Sequence, residues 1–352
     1  MPNHFLRSAI IVCCLLLVLP NVARAEYFTQ VGHFGFYQEP FFQGARTNAL
    51  GLADLATPTG PMAILQNPAS QLEGNTLQVG FERSDWFQDW EVTNWALSGE
   101  WKFLRLGLVR HQAALWDEPL RTAYNPEGDD ISFTSISRTW TAGLSGQVLP
   151  RQWREKGFSA NIGANWRHYS HSIEISSIDD ETGNSTDDAD IGLTIGWQRK
   201  IPSGWIRLDG AAMKHNIFQS SMVIHPFKIY LPNYSQVGLT ATGVWIPTGK
   251  TIEALRVLVA YSHRQESKEE DRERFHADRW GAELTVLEMV AFRVGDNDDP
   301  LYQANSKTMG MALIVPRRLI NPLELRLNWT RFDHGFDFGW QDIFGATLSA
   351  TF

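Results

Sequence analysis

The feature that most limits what this chain can fold into is a two-residue rhythm. From Thr76 to Phe352, short runs alternate apolar and polar side chains, and turn-forming or polar residues bound each run. Ile191, Leu193, Ile195 and Trp197 fall on one face of an extended strand, with Gly192, Thr194, Gly196 and Gln198 on the other. Leu323, Leu325, Leu327 and Trp329 oppose Glu324, Arg326, Asn328 and Thr330 in the same way. Successive strand side chains point to opposite faces, so these runs read as half-buried β-strands. There are 14 of them, near 76–84, 91–101, 102–112, 132–147, 156–174, 188–199, 203–214, 234–246, 253–264, 276–285, 288–296, 306–315, 322–332 and 344–352.

A soluble sandwich would alternate too, so the connections decide. Long polar ones fall at 113–131, 175–187, 215–233, 265–275, 297–305 and 333–343. Short ones fall at the 101/102 boundary and at 148–155, 200–202, 247–252, 286–287 and 316–321, in strict alternation with the long ones. Outer-membrane barrels have this pattern of short periplasmic turns and longer external loops. Closure also removes the edge strands whose unpaired backbone groups a bilayer cannot satisfy. The expected fold class is therefore all-β, a transmembrane antiparallel β-barrel of about 14 strands with both termini in the periplasm. Tryptophan placement fits: Trp101, Trp197, Trp205 and Trp245 lie beside the short turns, and Trp86, Trp90, Trp116 and Trp340 at the other end. Tryptophan prefers a membrane interface, where its ring is apolar and its N–H stays wet.

The chain divides into three parts, 1–25, 26–75 and 76–352. The first reads as a Sec signal peptide, with Arg7 as the positive region, Ile10 to Leu19 as the apolar core and Ala23-Arg24-Ala25 as the cleavage site. Its apolar run is too short to span a bilayer, which takes about 20 residues. Cys13 and Cys14 both lie in this leader, so the mature chain is expected to hold no thiol. Removing the leader takes away Arg7 and Arg24 and no acid, which moves the formal charge from −8 to −10. That acidity argues against nucleic acid as a partner.

Residues 26–75 are not strand-like. Small residues dominate, Pro58, Gly60, Pro61 and Pro68 break the chain, and the segment reads as a plug inserted into the barrel from the periplasmic end. At the other terminus, an alternating strand ends on Phe352. A terminal aromatic on such a strand resembles the signal that barrel assembly machinery recognises.

Several short motifs carry a family likeness. Gly44-Ala45-Arg46, the run at 49–53 that includes Gly51, and Asn67-Pro68-Ala69 resemble the N-terminal signature of the PorV/PorQ barrels, relatives of the FadL long-chain fatty acid transporters. Trp280 to Leu284 followed by Ala291 to Gly295 resembles that family's paired strands, as Gly339 to Gly345 resembles its closing segment. One departure is that acidic residues expected between Ala53 and Asn67 give way to Thr57-Pro58-Thr59-Gly60-Pro61. The resemblance implies a 14-stranded barrel with an inserted N-terminal segment. It implies two jobs: the first expectation is an accessory role docking exported proteins at the cell surface in a type IX secretion-like system, and the alternative is a channel for hydrophobic small molecules such as long-chain fatty acids.

The inward faces are expected to carry a charge ladder of Arg105, Arg167, Arg207, Asp209, Arg256, Glu283, Arg293, Glu324 and Arg326. Charges turn inward because facing lipid costs about 2–4 kcal/mol for Arg or Lys at mid-depth. Glu283 and Arg293 sit on strands joined by a tight turn and are expected to approach each other. The connection at 215–233 concentrates apolar residues, among them Phe218, Met222, Phe227 and Tyr230, and is expected to expose them as a contact site. Enzyme signals are poor: Gly143-Leu144-Ser145-Gly146 falls one residue short of a nucleophile elbow, and no H-E-x-x-H occurs. The histidines show no ligand spacing and no loop has the calcium pattern, so no metal or cofactor is expected. The expected partners are outer-membrane lipid, the assembly machinery, and either exported proteins or a hydrophobic small molecule.

Overall fold

In a computed structural model of the chain, 14 antiparallel strands close on themselves. They are β1 (Thr76–Asp85), β2 (Glu91–Trp101), β3 (Leu104–Pro119), β4 (Ser132–Gln147), β5 (Phe158–Ile175), β6 (Ile178–Ile201) and β7 (Gly204–His215), then β10 (Tyr234–Trp245), β11 (Leu255–Glu266), β12 (His276–Val286), β13 (Val290–Asp299), β14 (Ala304–Val315), β15 (Leu323–Asp333) and β16 (Trp340–Thr351). Between β7 and β10 a separate hairpin forms from β8 (Ser221–Ile224) and β9 (Phe227–Tyr230). The structure describes residues 43–70, 74–85, 90–119, 132–175, 178–224, 227–266, 276–299, 304–333 and 340–352. The leader read from the sequence lies outside them.

Neighbours along the chain are neighbours in the sheet, and the ring closes where β1 pairs with β16, from Thr76↔Thr351 to Ser84↔Ile343. The two-residue rhythm sorts the side chains. On β2, Val92, Asn94, Ala96, Ser98 and Glu100 are buried in the lumen, whereas Trp95, Leu97 and Trp101 are exposed on the outer wall. Leu106, Ile195, Leu208, Leu239 and Phe344 continue that exposed apolar wall. Water would penalise so large an apolar surface, and a bilayer does not. The architecture is that of an outer-membrane-type barrel.

The structure departs from the sequence expectations at four places. The acidic stretch at 175–187 is not a free loop: β5 and β6 stay paired out to Glu174↔Glu181. Residues 183–187 meet water on both faces, so no apolar alternation marks them. Trp90 is not in an outer girdle but buried in the lumen, 7% exposed. Trp205 shares the inward face of Arg207 and Asp209, and the Arg256 guanidinium lies 5.9 Å from its ring. Met222 is also not exposed: it packs with Tyr169 and Leu231 in a buried cluster at the base of the β8–β9 hairpin. Phe218 is exposed as expected, at 70%. The side chains of Phe227 and Tyr230, and Trp86, lie outside what is described.

Residues 43–70 occupy the lumen. Two short helices, α1 (Ala45–Ala49) and α2 (Ala63–Gln66), are joined by turns, and every residue of the stretch is buried except the half-buried Thr59 and Gly60. Small side chains make this close packing possible. Two further single-turn helices, α3 (Arg151–Arg154) and α4 (Arg317–Ile320), cap short connections and are exposed.

Candidate functional site

The candidate site is the sealed lumen, where plug meets wall. Its centre is Arg46. The Arg46 guanidinium donates to Asp54 of the plug at 2.6 Å and to Glu283 of β12 at 3.0 Å. On the far side of Glu283 stands Arg293 of β13, at 2.6 Å. Glu283 and Arg293 are direct cross-strand partners, as the tight turn between their strands predicts. Arg293 also donates to Asn328 of β15 at 3.0 Å. The result is a buried chain of alternating charge, Asp54–Arg46–Glu283–Arg293, that ties the plug to the wall. Breaking such a pair by removing one partner costs about 3–5 kcal/mol, since the other charge stays buried.

Asp54, Glu82, Glu100, Asp188 and Asp190 are buried acids that the sequence reading does not place on the plug or the lumen wall. Asp54 falls between Ala53 and Asn67, the interval in which the sequence reading takes the expected acidic residues as replaced. Glu82 sits on the inward parity of β1, and its carboxylate accepts from the backbone N–H of Ala45 at 2.8 Å. It thereby holds the first turn of α1.

The remaining plug residues are fixed by backbone contacts. Gly51 has φ +61°, and a Cβ there would fall 2.7 Å from the Asp296 backbone on β13. Glycine thus meets both the left-handed conformation and the close approach. Asn67 accepts from Ala69 N–H at 2.9 Å through Oδ1, an Asx-type turn, and its amide nitrogen donates to the Leu55 carbonyl at 3.1 Å. Pro68 lies against Gly163 of β5, where a Cβ would stand 2.3 Å from the Pro68 oxygen.

The expected charge ladder is present on the inward faces but is not continuous. Arg105 clamps the plug through Ser70 Oγ at 2.9 Å and the Gly60 carbonyl at 2.5 Å, with Glu100 at 3.4 Å. Arg167 pairs with Asp190 at 2.5 Å and reaches the Leu65 carbonyl at 3.3 Å. These two clusters and the Arg46 chain hold the plug. The others do not: Arg207 pairs with Asp209 on its own strand at 2.9 Å, Arg256 with Glu253 at 2.6 Å, and Arg326 with Glu324 at 3.2 Å. Glu324, Arg326, Glu82, Gln78, Arg46 and Thr59 line a polar cavity of about 40 Å³ beside the plug, room for a few water molecules.

Toward the mouth fringed by the long connections, the lining changes character. Trp90, Val92, Leu115, Phe332 and Ile343 form an apolar cluster inside the wall and rest on Ala45 of the plug. Strand parity places Val92, Phe332 and Ile343 inward beside Asn94, Thr330 and Gln341, but no local pattern says that these residues of different strands meet in one cluster. Across the lumen, Tyr234 is stacked on His215 at 4.5 Å, with the Arg264 guanidinium 3.8 Å from its ring centre. Gln43 donates to the Tyr234 hydroxyl at 3.3 Å.

No family model matches the sequence, and no curated protein matches it. Among solved structures, the chain is similar to the Ralstonia pickettii toluene transporter TbuX, at 10% identity and TM-score 0.49, covering 88% of this chain and 98% of that one. It is similar to a Pseudomonas aeruginosa FadL homologue at 11% identity and TM-score 0.48, covering 92% and 99%. It is also similar to the transport unit of the Escherichia coli autotransporter AIDA-I, at 9% identity and TM-score 0.43, covering 80% and 91%. Overlaps this loose, spread over barrels with different work, carry no argument about ancestry or cargo.

Proposed function

We propose that the protein is an outer-membrane channel for hydrophobic small molecules, gated by its N-terminal plug. The observation that carries this reading is the apolar cluster Trp90, Val92, Leu115, Phe332 and Ile343 inside the outer mouth, seated on Ala45. The cluster is packed against the plug, so it would become an apolar lining only when the plug moves off it, and such a lining suits an apolar solute rather than a water-filled pore. The polar cavity at the other side of the plug, about 40 Å³, is far too small to pass a hydrocarbon, so passage needs the plug to move.

The docking role implied by the PorV/PorQ resemblance is the second reading. It draws support from Phe218, 70% exposed. It loses support from Met222, which the hairpin buries rather than presents.

The test is a deletion strain complemented with wild type, Phe332→Asn/Ile343→Asn, or Phe218→Ser. Uptake of a labelled long-chain fatty acid and of toluene is scored beside surface display of exported proteins. Channel function predicts that the deletion and the Phe332/Ile343 variant lose uptake while display is normal. Loss of display with normal uptake, reproduced by Phe218→Ser, would replace the channel with the docking protein.

A further inference from the structure

The two ends of the barrel arrange their charges differently. The opposite mouth exposes both signs, Asp85, Glu174, Asp187 and Asp278 beside Arg83 and Lys307, and Arg83 and Arg331 there are held by Asp85 and Asp342. The end with the short connections exposes Lys102, Arg154, Lys156, Arg199, Lys200 and Lys250, which enter no ion pair among the described residues. Two more guanidinium groups there are already held, Arg151 by Glu155 at 2.7 Å and Arg318 by Glu288 at 3.6 Å. This basic rim stands out against a chain whose formal charge is −8.

The cations are not spread over an aqueous face. They border the apolar outer wall. Trp101 is on the outward face of β2, and the Lys102 ammonium lies 4.5 Å from its ring centre. α3 turns Trp153 edge-on to the outward Phe158, with ring centroids 5.6 Å apart, so Arg154 and Lys156 flank a helix lying on the lipid side. Arg199 shares the outward face of Leu193 and Ile195. Exposed Phe103 and Leu319 complete an apolar edge beneath the charges. An apolar body with a cationic tip is the form of a side chain that buries its stem in hydrocarbon and places its charge among headgroups.

We propose that this rim binds the phosphodiester headgroups of anionic phospholipids in the leaflet that meets the short connections. A soluble acidic partner would account for the charges but not for the apolar residues set level with them. Lipid accounts for both, and each basic group near such a surface adds favourable electrostatic energy.

The test uses the full-length barrel purified in detergent, with native mass spectrometry of bound phosphatidylglycerol against phosphatidylcholine. Wild type is compared with K102Q/R154Q/K156Q/R199Q and with a charge-matched control at the other mouth, R83Q/R110Q/R138Q/R331Q. Heat-modifiable gel migration confirms that each is a closed barrel. Should the fourfold rim variant fail to close, K102Q/R199Q takes its place. Wild type and control are expected to prefer phosphatidylglycerol by about tenfold, and the rim variant by less than about twofold. The proposal is overturned if wild type shows no preference, if the rim variant keeps it, or if the control loses it equally. It is also overturned if free glycerol 3-phosphate at equal concentration strips the lipid, since the rim would then be a simple anion site.

Discussion

Arg46 joins two buried carboxylates, one on the plug and one on the wall, and its loss is therefore felt twice. Arg46→Met should leave Asp54 and Glu283 facing each other without a cation between them, although Arg293 still serves Glu283. The expected loss is about 3–5 kcal/mol of plug attachment. It would be measured as a fall in the temperature at which the barrel loses its compact gel migration, together with flickering conductance in planar bilayers. A variant as quiet and as stable as wild type would remove Arg46 from this role. Gly51→Ala should cost about 1–3 kcal/mol, since the positive φ and the Asp296 backbone both oppose a Cβ. Its melting curve would be the measurement. At this scale the sequence was partly legible. Glu283 and Arg293 could be paired in advance because a tight turn fixes their register. The link from Arg46 to Glu283 could not, because nothing in a local pattern says which of the 14 strands a plug residue will face.

Elements were more legible than contacts, because a bilayer imposes alternation on any strand that crosses it. The rhythm marked every strand of the wall, with boundaries displaced where the chain leaves the membrane. β5 and β6 stay paired beyond it, and through the polar stretch 183–188 of β6 the rhythm disappears while the pairing continues. The β8–β9 hairpin was hidden for a different reason. Its apolar residues resembled an exposed patch, but Met222 turns down onto Tyr169, whose hydroxyl donates to Asn216 at 2.9 Å. Met222→Asp should therefore release the hairpin without opening the barrel. Limited proteolysis would read this as new cleavage within 216–233, with the remaining fragments still migrating as a closed barrel. Resistance equal to wild type would mean that the hairpin is held by other contacts.

For the whole molecule, the lumen is a filled interior rather than a pore. Removing residues 43–70 takes away the plug-side partners of Arg105, Arg167 and Glu283 together and should convert a silent barrel into an open one. Single-channel recording of the deletion variant should show large, steady openings that wild type lacks, and a silent variant would show that the wall itself closes the path. The closure of the ring between β1 and β16 has one more consequence, which concerns time rather than space. The seam joins Thr76 to Thr351, so the wall cannot become a ring until its final strand is in place. The plug precedes β1 and is tied to β3, β5, β12 and β13 by contacts that fill the interior. A ring sealed first would have to admit this segment afterwards and let it fold inside a wall that is already closed. The expected order of assembly is therefore that the strands gather around residues 43–70 as a mould around its core, and the seam is sealed last.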